Sequence, residues 1–521
     1  MPNAFYSSFA LYPIKGKPII LRQLENLKNT YGMERFILVI NRDNDKLVYY
    51  AKKFLTGLFD LKIVLSSGGK TILHSLSQGL QKADRKLPTR VILGDTMIAR
   101  SIDGQTDVIY TSPHFRFSQN WCLTDRQGSF FDKQKDADTG GKEALVGYYS
   151  FSDTPYLSDC CADAIKMRTR EISNVLVRYQ KRHALSCRTV DDWYDLGHTA
   201  GIVKAKSMFY SARNFNSIAI DPDAGLFIKS SDRIQKLTDE VFWYANIPDK
   251  LKVFTPRVIA FEAGKEQAVL TQELYGYPTL QDLYLSGDVN VEDWEYIIER
   301  LFVLHKSLDS YKGGTTAEQI RWLYWDKTVE RVRALCAQDR YWKGLVARER
   351  ETINSREYAG LAVLRPGIER RACELAGNAS SSVVHGDYCF SNILFDPSNF
   401  IFKLVDPRGR LQSEQTVFGD PRYDIAKLRH SVCGMYDFIV SGLFAVKERK
   451  KGFEYRVLTP VDYSGLEAIF DDISRSYGYN PEEIRFIEGL LFLSMIDLHG
   501  EDFKRQQAFY LRAVELLNQV S

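Results

Sequence analysis

The sequence predicts an α/β domain over about residues 1–210, followed by an α+β domain over residues 211–521. Three observations lead to this division. The chain has 521 residues, which is too long for one ordinary hydrophobic core. Strand-like and helix-like segments alternate between residues 11 and 93, the pattern of an α/β sheet. After residue 211, by contrast, strand-like runs come first and long helical patterns follow.

The composition is that of a soluble globular protein, with 45% hydrophobic and 26% charged residues. A net charge of +3 gives no reason to expect nucleic acid or an anionic membrane as partner. No apolar run reaches the roughly 20 residues that span a bilayer, and Met1 to Leu11 do not resemble a secretory signal. Eight cysteines without a Cys-x-x-Cys pair favour reduced thiols, so the expected location is cytoplasmic.

The first domain is predicted to begin with a turn and an amphipathic helix. Apolar residues at Ile20, Leu24 and Leu27 recur at helical spacing. The following segments then alternate, as a buried strand at 35–41, a helix at about 45–55, a strand at 61–65, a helix at 72–81 and a strand at 90–93. This alternation predicts a parallel sheet with helices on both faces.

Three short motifs in this domain carry a family resemblance. Leu11–Pro18 reads Leu-Tyr-Pro-Ile-Lys-Gly-Lys-Pro, Gly94-Asp95 follows a strand, and Trp193–Gly197 reads Trp-Tyr-Asp-Leu-Gly. They resemble motifs of the sugar-nucleotide pyrophosphorylase family, whose nucleotidyltransferase fold is glycosyltransferase-A-like. The resemblance covers about the first 210 residues. It implies that Asp95 and Asp195 hold a catalytic magnesium ion, which suits oxygen ligands.

The same family opens with a strand and a Gly-x-Gly-x-Arg loop that wraps the nucleotide phosphates. Little sequence precedes Leu11 here, and Ser8 and Phe9 stand where the family carries Pro and a catalytic Lys. We therefore expect an incomplete domain that is weak or inactive as a nucleotidyltransferase; a misassigned start is the alternative. Gly68–Thr71 lacks the spacing of a P-loop and predicts a tight turn before the next helix.

The second domain contains the most informative stretch, residues 384–395, which reads Val-His-Gly-Asp-Tyr-Cys-Phe-Ser-Asn-Ile-Leu-Phe. Apolar pairs on both sides predict short buried strands around a polar loop. Phosphoryl transfer needs a carboxylate to orient the accepting hydroxyl and oxygen ligands for magnesium. Asp387 is the candidate base, and Asn392 and Asp406 are the candidate ligands. The alternative is an ordinary polar turn, where Asp and Asn are common.

The spacing of these residues resembles the aminoglycoside phosphotransferase and choline kinase group, whose catalytic loop reads His-Gly-Asp and then Asn. Residues 419–428, Gly-Asp-Pro-Arg-Tyr-Asp-Ile-Ala-Lys-Leu, resemble the family segment whose Asp braces that loop. The resemblance implies a bilobal, protein-kinase-like α+β fold, with ATP as phosphoryl donor and Mg²⁺ as cofactor. A protein kinase matches less well, because the loop lacks the Arg of His-Arg-Asp and no activation segment is recognisable after Asp406.

Upstream of this loop, two strand-like runs at 215–220 and 225–230 are joined by a strong turn signal. Lys229 closes the second run, and Glu240 lies eleven residues on within a helical pattern. Kinase-like folds pair a strand lysine with a helix glutamate, which holds the lysine over the nucleotide phosphates. The alternative is an unrelated pair of surface charges.

Residues 268–276 look like the edge strand and hinge between two kinase lobes. The backbone of Gln272, Glu273 and Leu274 is therefore expected to contact the adenine edge of the nucleotide. This expectation comes from the resemblance alone.

Helical patterns dominate the remainder, beginning at Val291 and recurring at 315–338, 425–443, 481–498 and 502–518. His305 is predicted to be a packed core histidine. A group of aromatic and acidic residues could suit a cationic or sugar acceptor, although core packing explains the rings equally well: Trp322, Tyr324, Trp325 and Asp497.

The preferred hypothesis is a small-molecule kinase joined to a nucleotidyltransferase-like domain. Its acceptor would be an amino alcohol, a polyol or a sugar, in the synthesis of an activated precursor of surface polysaccharide or lipid. The alternatives are a nucleotide-binding regulatory or scaffold protein and a bifunctional enzyme with two active domains. The joint presence of Lys229, Asp387, Asn392 and Asp406 favours an active kinase. The sequence leaves open the acceptor, the nucleotide preference and the oligomeric state.

Overall fold

The computed structural model describes residues 9–11, 13–14, 17–66, 71–115, 121–132, 140–197, 205, 216–221, 224–287, 289–450 and 452–520. The chain divides into two compact units, Met1–Lys206 and Ser207–Ser521. The turn predicted at 68–71 lies outside the described residues except for Thr71, and Ser8 also lies outside them.

The first unit alternates helices and strands, as the sequence predicts. Its helices are α1 (Ile19–Asn29), α2 (Asp45–Lys53), α3 (Ile72–Leu80), α4 (Thr154–Lys166) and α5 (Ser173–Tyr179). Its strands are β1 (Pro13–Ile14), β2 (Lys17–Pro18), β3 (Arg35–Asn41), β4 (Asp60–Ser66), β5 (Thr89–Ile92), β6 (Thr96–Ile98), β7 (Val108–Ser112), β8 (Leu123–Thr124), β9 (Phe130–Phe131), β10 (Glu143–Phe151), β11 (Ser186–Thr189) and β12 (Trp193–Asp195). Local signals set helix starts, since Asn44 caps α2 and Asp153 caps α4 through their side chains.

The described strands of this unit form a six-stranded mixed sheet and three separate pairs, among them β3 and β4, which corrects the prediction of a parallel sheet. Strands β3 and β4 are parallel, as are β7 and β11. Strand β10, however, runs antiparallel to β5, β7 and β8. All nine residues of β10 are buried, and a strand buried on both faces reads as a continuous apolar run whatever its direction. The α/β class itself is confirmed.

The second unit begins with a small antiparallel sheet and one helix. The strands are β13 (Asn216–Asp221), β14 (Leu226–Ser231), β15 (Val258–Ala263) and β16 (Ala268–Glu273), in the order β13-β14-β16-β15. Helix α6 (Ile234–Asn246) lies between β14 and β15 in the chain and buries Leu237, Trp243 and Tyr244. This is the smaller lobe of a kinase-like fold.

Helices form most of the larger lobe. They are α7 (Leu280–Ser286), α8 (Val291–Asp309), α9 (Ala317–Arg321), α10 (Lys327–Gln338), α11 (Arg340–Val346), α12 (Leu361–Gly377), α13 (Pro421–Val432), α14 (Tyr436–Val440), α15 (Leu466–Ser476), α16 (Pro481–Met495) and α17 (Phe503–Val520). The strands are β17 (Arg350–Ile353), β18 (Arg356–Ala359), β19 (Ser382–Val383), β20 (Ile393–Asp396), β21 (Ile401–Leu404), β22 (Arg410–Leu411), β23 (Glu414–Gln415), β24 (Phe418–Gly419), β25 (Phe444–Arg449) and β26 (Gly452–Val457). The predicted bilobal α+β class is confirmed.

Two predicted helices are interrupted. The helix expected at 315–338 contains a π-helical turn, Trp322–Asp326, between α9 and α10. The wider turn buries three consecutive residues, Leu323, Tyr324 and Trp325, which an α-helix could not keep on one face. The helix expected at 425–443 begins earlier, because Asp420 caps α13 and Pro421 follows it. It stops before Met435, whose φ of 57° is left-handed.

An aromatic cluster holds the predicted catalytic loop against α7 and α8. The ring centroids of Tyr284 and Trp294 lie 5.0 Å apart, and Phe390 lies 5.3 Å from Tyr284 and 5.2 Å from Trp294. All three rings are buried, and each full burial contributes roughly 1.5–3 kcal/mol. His305 is also buried, and its ring lies 3.3 Å from the Tyr479 hydroxyl, in keeping with a core histidine. Among the described helices, none has the length and apolarity to cross a bilayer.

Candidate active site

The predicted catalytic loop lies between β19 and β20, and β20 pairs antiparallel with β21. The Val405 N–H donates to the carbonyl oxygen of Asn392 over 2.9 Å. The Arg408 N–H likewise donates to the His385 carbonyl over 3.0 Å. These bonds bring the segment of Asp406 alongside the loop, so that candidates far apart in sequence share one cleft.

The side chain of Asp387 is fixed by Asn392. The Asn392 amide Nδ2 donates to the main-chain oxygen of Asp387 at 2.9 Å and to its Oδ2 at 3.1 Å. The Asp387 side chain remains 29% exposed, so a ligand in the cleft can reach it. Because Nδ2 points to Asp387, the Asn392 Oδ1 is directed elsewhere as an acceptor.

A buried carboxylate braces the start of the loop. Asp424 is fully buried in α13 and accepts hydrogen bonds from the N–H groups of His385 (2.7 Å) and Gly386 (2.8 Å). Gly386 has a φ of 78°, and a Cβ there would lie 2.9 Å from the Cβ of Arg408. Glycine therefore allows both the turn and the close approach of Arg408.

Lys229 lies between two carboxylates. Its Nζ is 2.7 Å from Glu240 Oε2 and also contacts Asp406 Oδ1. The side chains of Lys229 and Glu240 are 7% and 4% exposed, whereas that of Asp406 is 45% exposed. Burial opposes the charged lysine, but the two carboxylates raise its pKa above the ordinary value. Lys229 is thus a fixed, buried cation beside Asp406.

Two cations beside Asp387 were not identified from the sequence. Lys427 Nζ lies 2.9 Å from Asp387 Oδ1, and an Arg408 guanidinium nitrogen lies 4.0 Å from the same oxygen. Burial alone would raise the pKa of Asp387, but Lys427 and Arg408 hold it well below the usual range. The signal was present in the sequence: Lys427 is three residues after Asp424, on the same face of α13.

The predicted hinge residues are engaged in the smaller sheet. The N–H of Glu273 donates to the Arg257 carbonyl (3.0 Å), and that of Leu274 to the Gly225 carbonyl (2.8 Å). The side chain of Gln272 is buried. The N–H groups of Glu273 and Leu274 therefore already donate hydrogen bonds within the protein. An adenine edge would have to bind other backbone groups of residues 268–276.

A cavity of about 460 Å³ lies between α6, β15, β16 and β21. Lys403 of β21 lines it, and its Nζ donates to the carbonyls of Val253 (2.8 Å) and Thr255 (3.2 Å). The same Nζ lies 4.8 Å from the ring centroid of Tyr275. One side chain thus joins the strand before Asp406 to the turn after α6 and to the hinge.

In the first unit, the two predicted aspartates lie together. Strand β12 pairs with β6, so that Asp195 stands opposite Thr96, next to Asp95. A Cβ on Gly197 would lie 3.1 Å from Asp95 Oδ2 and 3.3 Å from Asp195 Oδ1. The Gly197 N–H donates to Asp195 Oδ1 over 3.0 Å. Within the described residues no group of three or more potential metal ligands occurs, so these two carboxylates are a pair.

The donor atoms in both units suit a hard cation. In the second unit they are the carboxylate of Asp406 and the amide oxygen of Asn392, and in the first unit two carboxylates. Magnesium prefers oxygen ligands and keeps several waters, so one or two protein ligands are sufficient. Both sets therefore fit Mg²⁺.

Solved structures similar to this chain fall into two groups. The aminoglycoside phosphotransferase APH(4)-Ia shares 10% identity, with 62% of this chain and 100% of that chain covered and a TM-score of 0.37. A glucose-1-phosphate thymidylyltransferase from Bacillus anthracis shares 15% identity over 41% and 91% of the two chains, with a TM-score of 0.34. HddC from Yersinia pseudotuberculosis shares 15% identity, with 39% of this chain and 89% of that chain covered and a TM-score of 0.30.

No protein-family model and no curated protein matches the sequence. The solved structures belong to the two classes of protein that the sequence motifs resemble. At such identities and scores a likeness carries no conclusion about activity, which is argued from the site itself.

Proposed function

We propose that the second unit is an ATP-dependent phosphotransferase that transfers the γ-phosphoryl group to a hydroxyl of a small molecule. The observation that carries this proposal is the convergence of Asp387, Asn392, Asp406 and Lys229 on one cleft. Their charges interact, since Asp387 raises the pKa of Asp406 while Lys229 lowers it. Chemistry of this kind depends mainly on positioning and on charge stabilisation.

Each residue has a distinct part in this proposal. Lys229, oriented by Glu240, binds the nucleotide phosphates. Asp406 and Asn392 would hold Mg²⁺, whose charge would stabilise the negative charge of the phosphates. Asp387 accepts a hydrogen bond from the acceptor hydroxyl and takes its proton as the new O–P bond forms, while ADP leaves.

The low pKa of Asp387 fits late proton transfer. Because Lys427 and Arg408 stabilise the carboxylate, Asp387 is ionised at neutral pH and ready to accept a hydrogen bond. Because the Asp387 carboxylate is a weak base, it orients the acceptor hydroxyl before it takes the proton. In a loose transition state the proton becomes acidic only after the phosphoryl group begins to transfer.

The first unit supports a place for this reaction in the synthesis of activated surface-polysaccharide or lipid precursors. A phosphorylated alcohol or sugar is the kind of substrate that a nucleotidyltransferase activates. The carboxylates of Asp95 and Asp195 would hold a metal and so dock a phosphorylated product, in a unit that the sequence predicts to be weak or inactive as a nucleotidyltransferase.

The test is magnesium-dependent ADP formation by the full chain with a panel of polyols, sugars, amino alcohols and their phosphorylated or carboxylated forms. Lys229→Met should lower turnover at least about tenfold by weakening phosphate binding. The matched control is Lys250→Met, since Lys250 is exposed. ATP binding without turnover of any acceptor would favour a nucleotide-binding regulator instead, and no magnesium-dependent ATP binding would refute the proposal.

A further inference from the structure

Four cationic side chains gather around Tyr423, from α10, from the segment after β21 and from α13. They are Lys327, Arg331, Arg408 and Lys427. Tyr423 lies among them: its ring centroid is 5.2 Å from Lys327 Nζ and 5.9 Å from the Arg408 guanidinium carbon. Arg331 is close enough to repel both Arg408 and Lys327. We call this group the cationic cluster.

Lys327 is the least compensated member of the cluster. It is 6% exposed, and its contacts are the Tyr423 hydroxyl at 3.4 Å and the rings of Tyr423 and Trp322, the latter at 5.8 Å. Among the described residues, no carboxylate lies within ion-pairing distance of it. Its neighbour Asp326 is directed to Arg321 at 3.6 Å. A buried cation without an anionic partner is costly, and a bound anion would remove that cost.

The carboxylates near the cationic cluster do not neutralise all of its positive charge. Asp387 pairs with Lys427, and Asp497 and Glu330 act on Arg331. Asp420 forms an ion pair with Arg422, with 2.7 Å between its Oδ2 and the Arg422 Nη2. Lys327 and Arg408 face the same tyrosine, and both remain uncompensated positive charges while the Tyr423 hydroxyl is protonated.

Nucleotide binding does not account for this charge. The phosphates of ATP already have Lys229 in the proposed function, and Lys427 and Arg408 flank the carboxylate that meets the acceptor. After burial, which opposes them, Lys427 and Arg408 have the largest effect on the pKa of Asp387. Lys327 faces Tyr423 from α10.

We propose that the acceptor carries a negatively charged group, a phosphate or a carboxylate, that binds between Lys327 and Arg408 while its hydroxyl meets Asp387. This inference rests on the proposed function and names the substrate class of the same site. It excludes a cationic amino alcohol such as choline, and it makes Lys327 a specificity-determining residue. The rings of Trp322 and Tyr423 then stabilise the Lys327 ammonium group through cation–π contacts, and Lys327 and Arg408 bind the anion.

The experiment compares matched acceptors with the full chain: glycerol, glycerol phosphate, glycerate and choline. Glycerol phosphate or glycerate should have a kcat/KM at least about tenfold above that of glycerol, because one charged hydrogen bond supplies about that factor. The comparison of these two anions separates a phosphate site from a carboxylate site. Preference for glycerol or choline would overturn the inference and leave the kinase proposal intact.

Lys327→Gln should lower kcat/KM for the preferred anion about tenfold to a hundredfold, mainly through KM. The KM for ATP should change much less than that for the anion, because Lys229, Asp406 and Asn392 bind the nucleotide and its metal in the proposed function. Lys327→Arg should restore most of the loss. The control is Lys312→Gln, since Lys312 is 61% exposed and paired with Asp309. Equal losses for charged and neutral acceptors would contradict the inference.

A binding measurement tests the anion site if the enzyme phosphorylates none of the four compounds, glycerol, glycerol phosphate, glycerate and choline. In the presence of ADP and magnesium, glycerol phosphate or glycerate should raise the melting temperature, and glycerol and choline should not. The rise should be lost in Lys327→Gln and kept in Lys312→Gln. No anion-specific rise, or one that survives Lys327→Gln, would refute the anion site. Failure of ATP binding would refute the proposed function separately.

Discussion

The two carboxylate sites of this chain differ in what holds the carboxylates. Asp387 and Asp406 in the second unit are held by cations, namely Lys427, Arg408 and Lys229. In the first unit, one contact of Asp195 comes from the backbone N–H of Gly197. A backbone donor orients a carboxylate without adding a charge, whereas a lysine or arginine also stabilises an anion nearby. The cations of the second unit therefore suit phosphate chemistry beside their carboxylates.

The largest effect should follow from Asp387→Asn. The amide cannot take the hydroxyl proton, so turnover should fall about a hundredfold to ten-thousandfold, while ATP binding remains. Steady-state ADP formation and ATP titration measure the two effects. Asp472→Asn, on exposed α15, is the matched control. Near-normal turnover in Asp387→Asn would show that the cation-rich site is not where the reaction occurs.

A smaller effect should separate the two magnesium ligands. Asp406→Ala removes a full charge and should weaken magnesium-dependent nucleotide binding at least about tenfold. Asn392→Ala removes a neutral oxygen and should weaken it less. Titrations of ADP with and without magnesium distinguish them. Equal losses that do not depend on the metal would contradict both assignments.

Acceptor binding should depend on pH through the cationic cluster. Burial, with Arg408 and Arg331, lowers the pKa of Lys327 to about 8. Burial opposes ionisation of Tyr423, but Arg408, Lys327 and Lys427 lower its pKa to about 7. Both groups lose a proton as the pH rises, so the cluster loses positive charge in that direction.

The KM for an anionic acceptor should therefore rise between about pH 6.5 and about pH 9. Tyr423→Phe should remove the lower step and keep the one near 8. The KM for a neutral acceptor, measured over the same range, is the control. A KM for the anion that falls as the pH rises would contradict the charge assignment.

The smallest effect concerns the first unit. Magnesium or manganese at about a hundredfold its dissociation constant should stabilise this unit by about 2.7 kcal/mol, visible as an upward shift of one thermal transition. Asp95→Asn combined with Asp195→Asn should abolish the shift, because no carboxylate of the pair remains. Asp406→Ala, in the other unit, should leave it intact. A shift that survives the double substitution would place the metal elsewhere.

Local sequence was sufficient for the elements around the candidate active site. Short apolar pairs on both sides of the polar loop indicated β19, β20 and β21, and Asp420-Pro421 is a strong helix start. The direction of β10 was not predictable, since burial on both faces hides strand direction. The π-helical turn was also missed, because the four bulky residues at 322–325 fit a helical pattern of either kind.

The sequence was less informative about charge. Asp387, Asn392 and Asp406 come from one recognisable spacing, but Lys327 lies 60 residues before Asp387 in the chain. Only the packing of α10 against α13, through Lys327 and Tyr423, brings this lysine to the site. A contact between distant helices leaves no periodic signal, so the sequence alone suggested a cationic or sugar acceptor, whereas we infer an anionic one from the described charges.

The contacts of Lys403 have a mechanical consequence. Its ammonium group ties the strand before Asp406 to the carbonyls of Val253 and Thr255, and it lies over the Tyr275 ring. Lys403 therefore joins the two lobes of the second unit, as the ion pairs Lys229–Asp406 and Arg410–Asp239 also do. A motion that widens the cleft has to break these contacts or pivot about them. Together they would set how stiffly the cleft opens to release product.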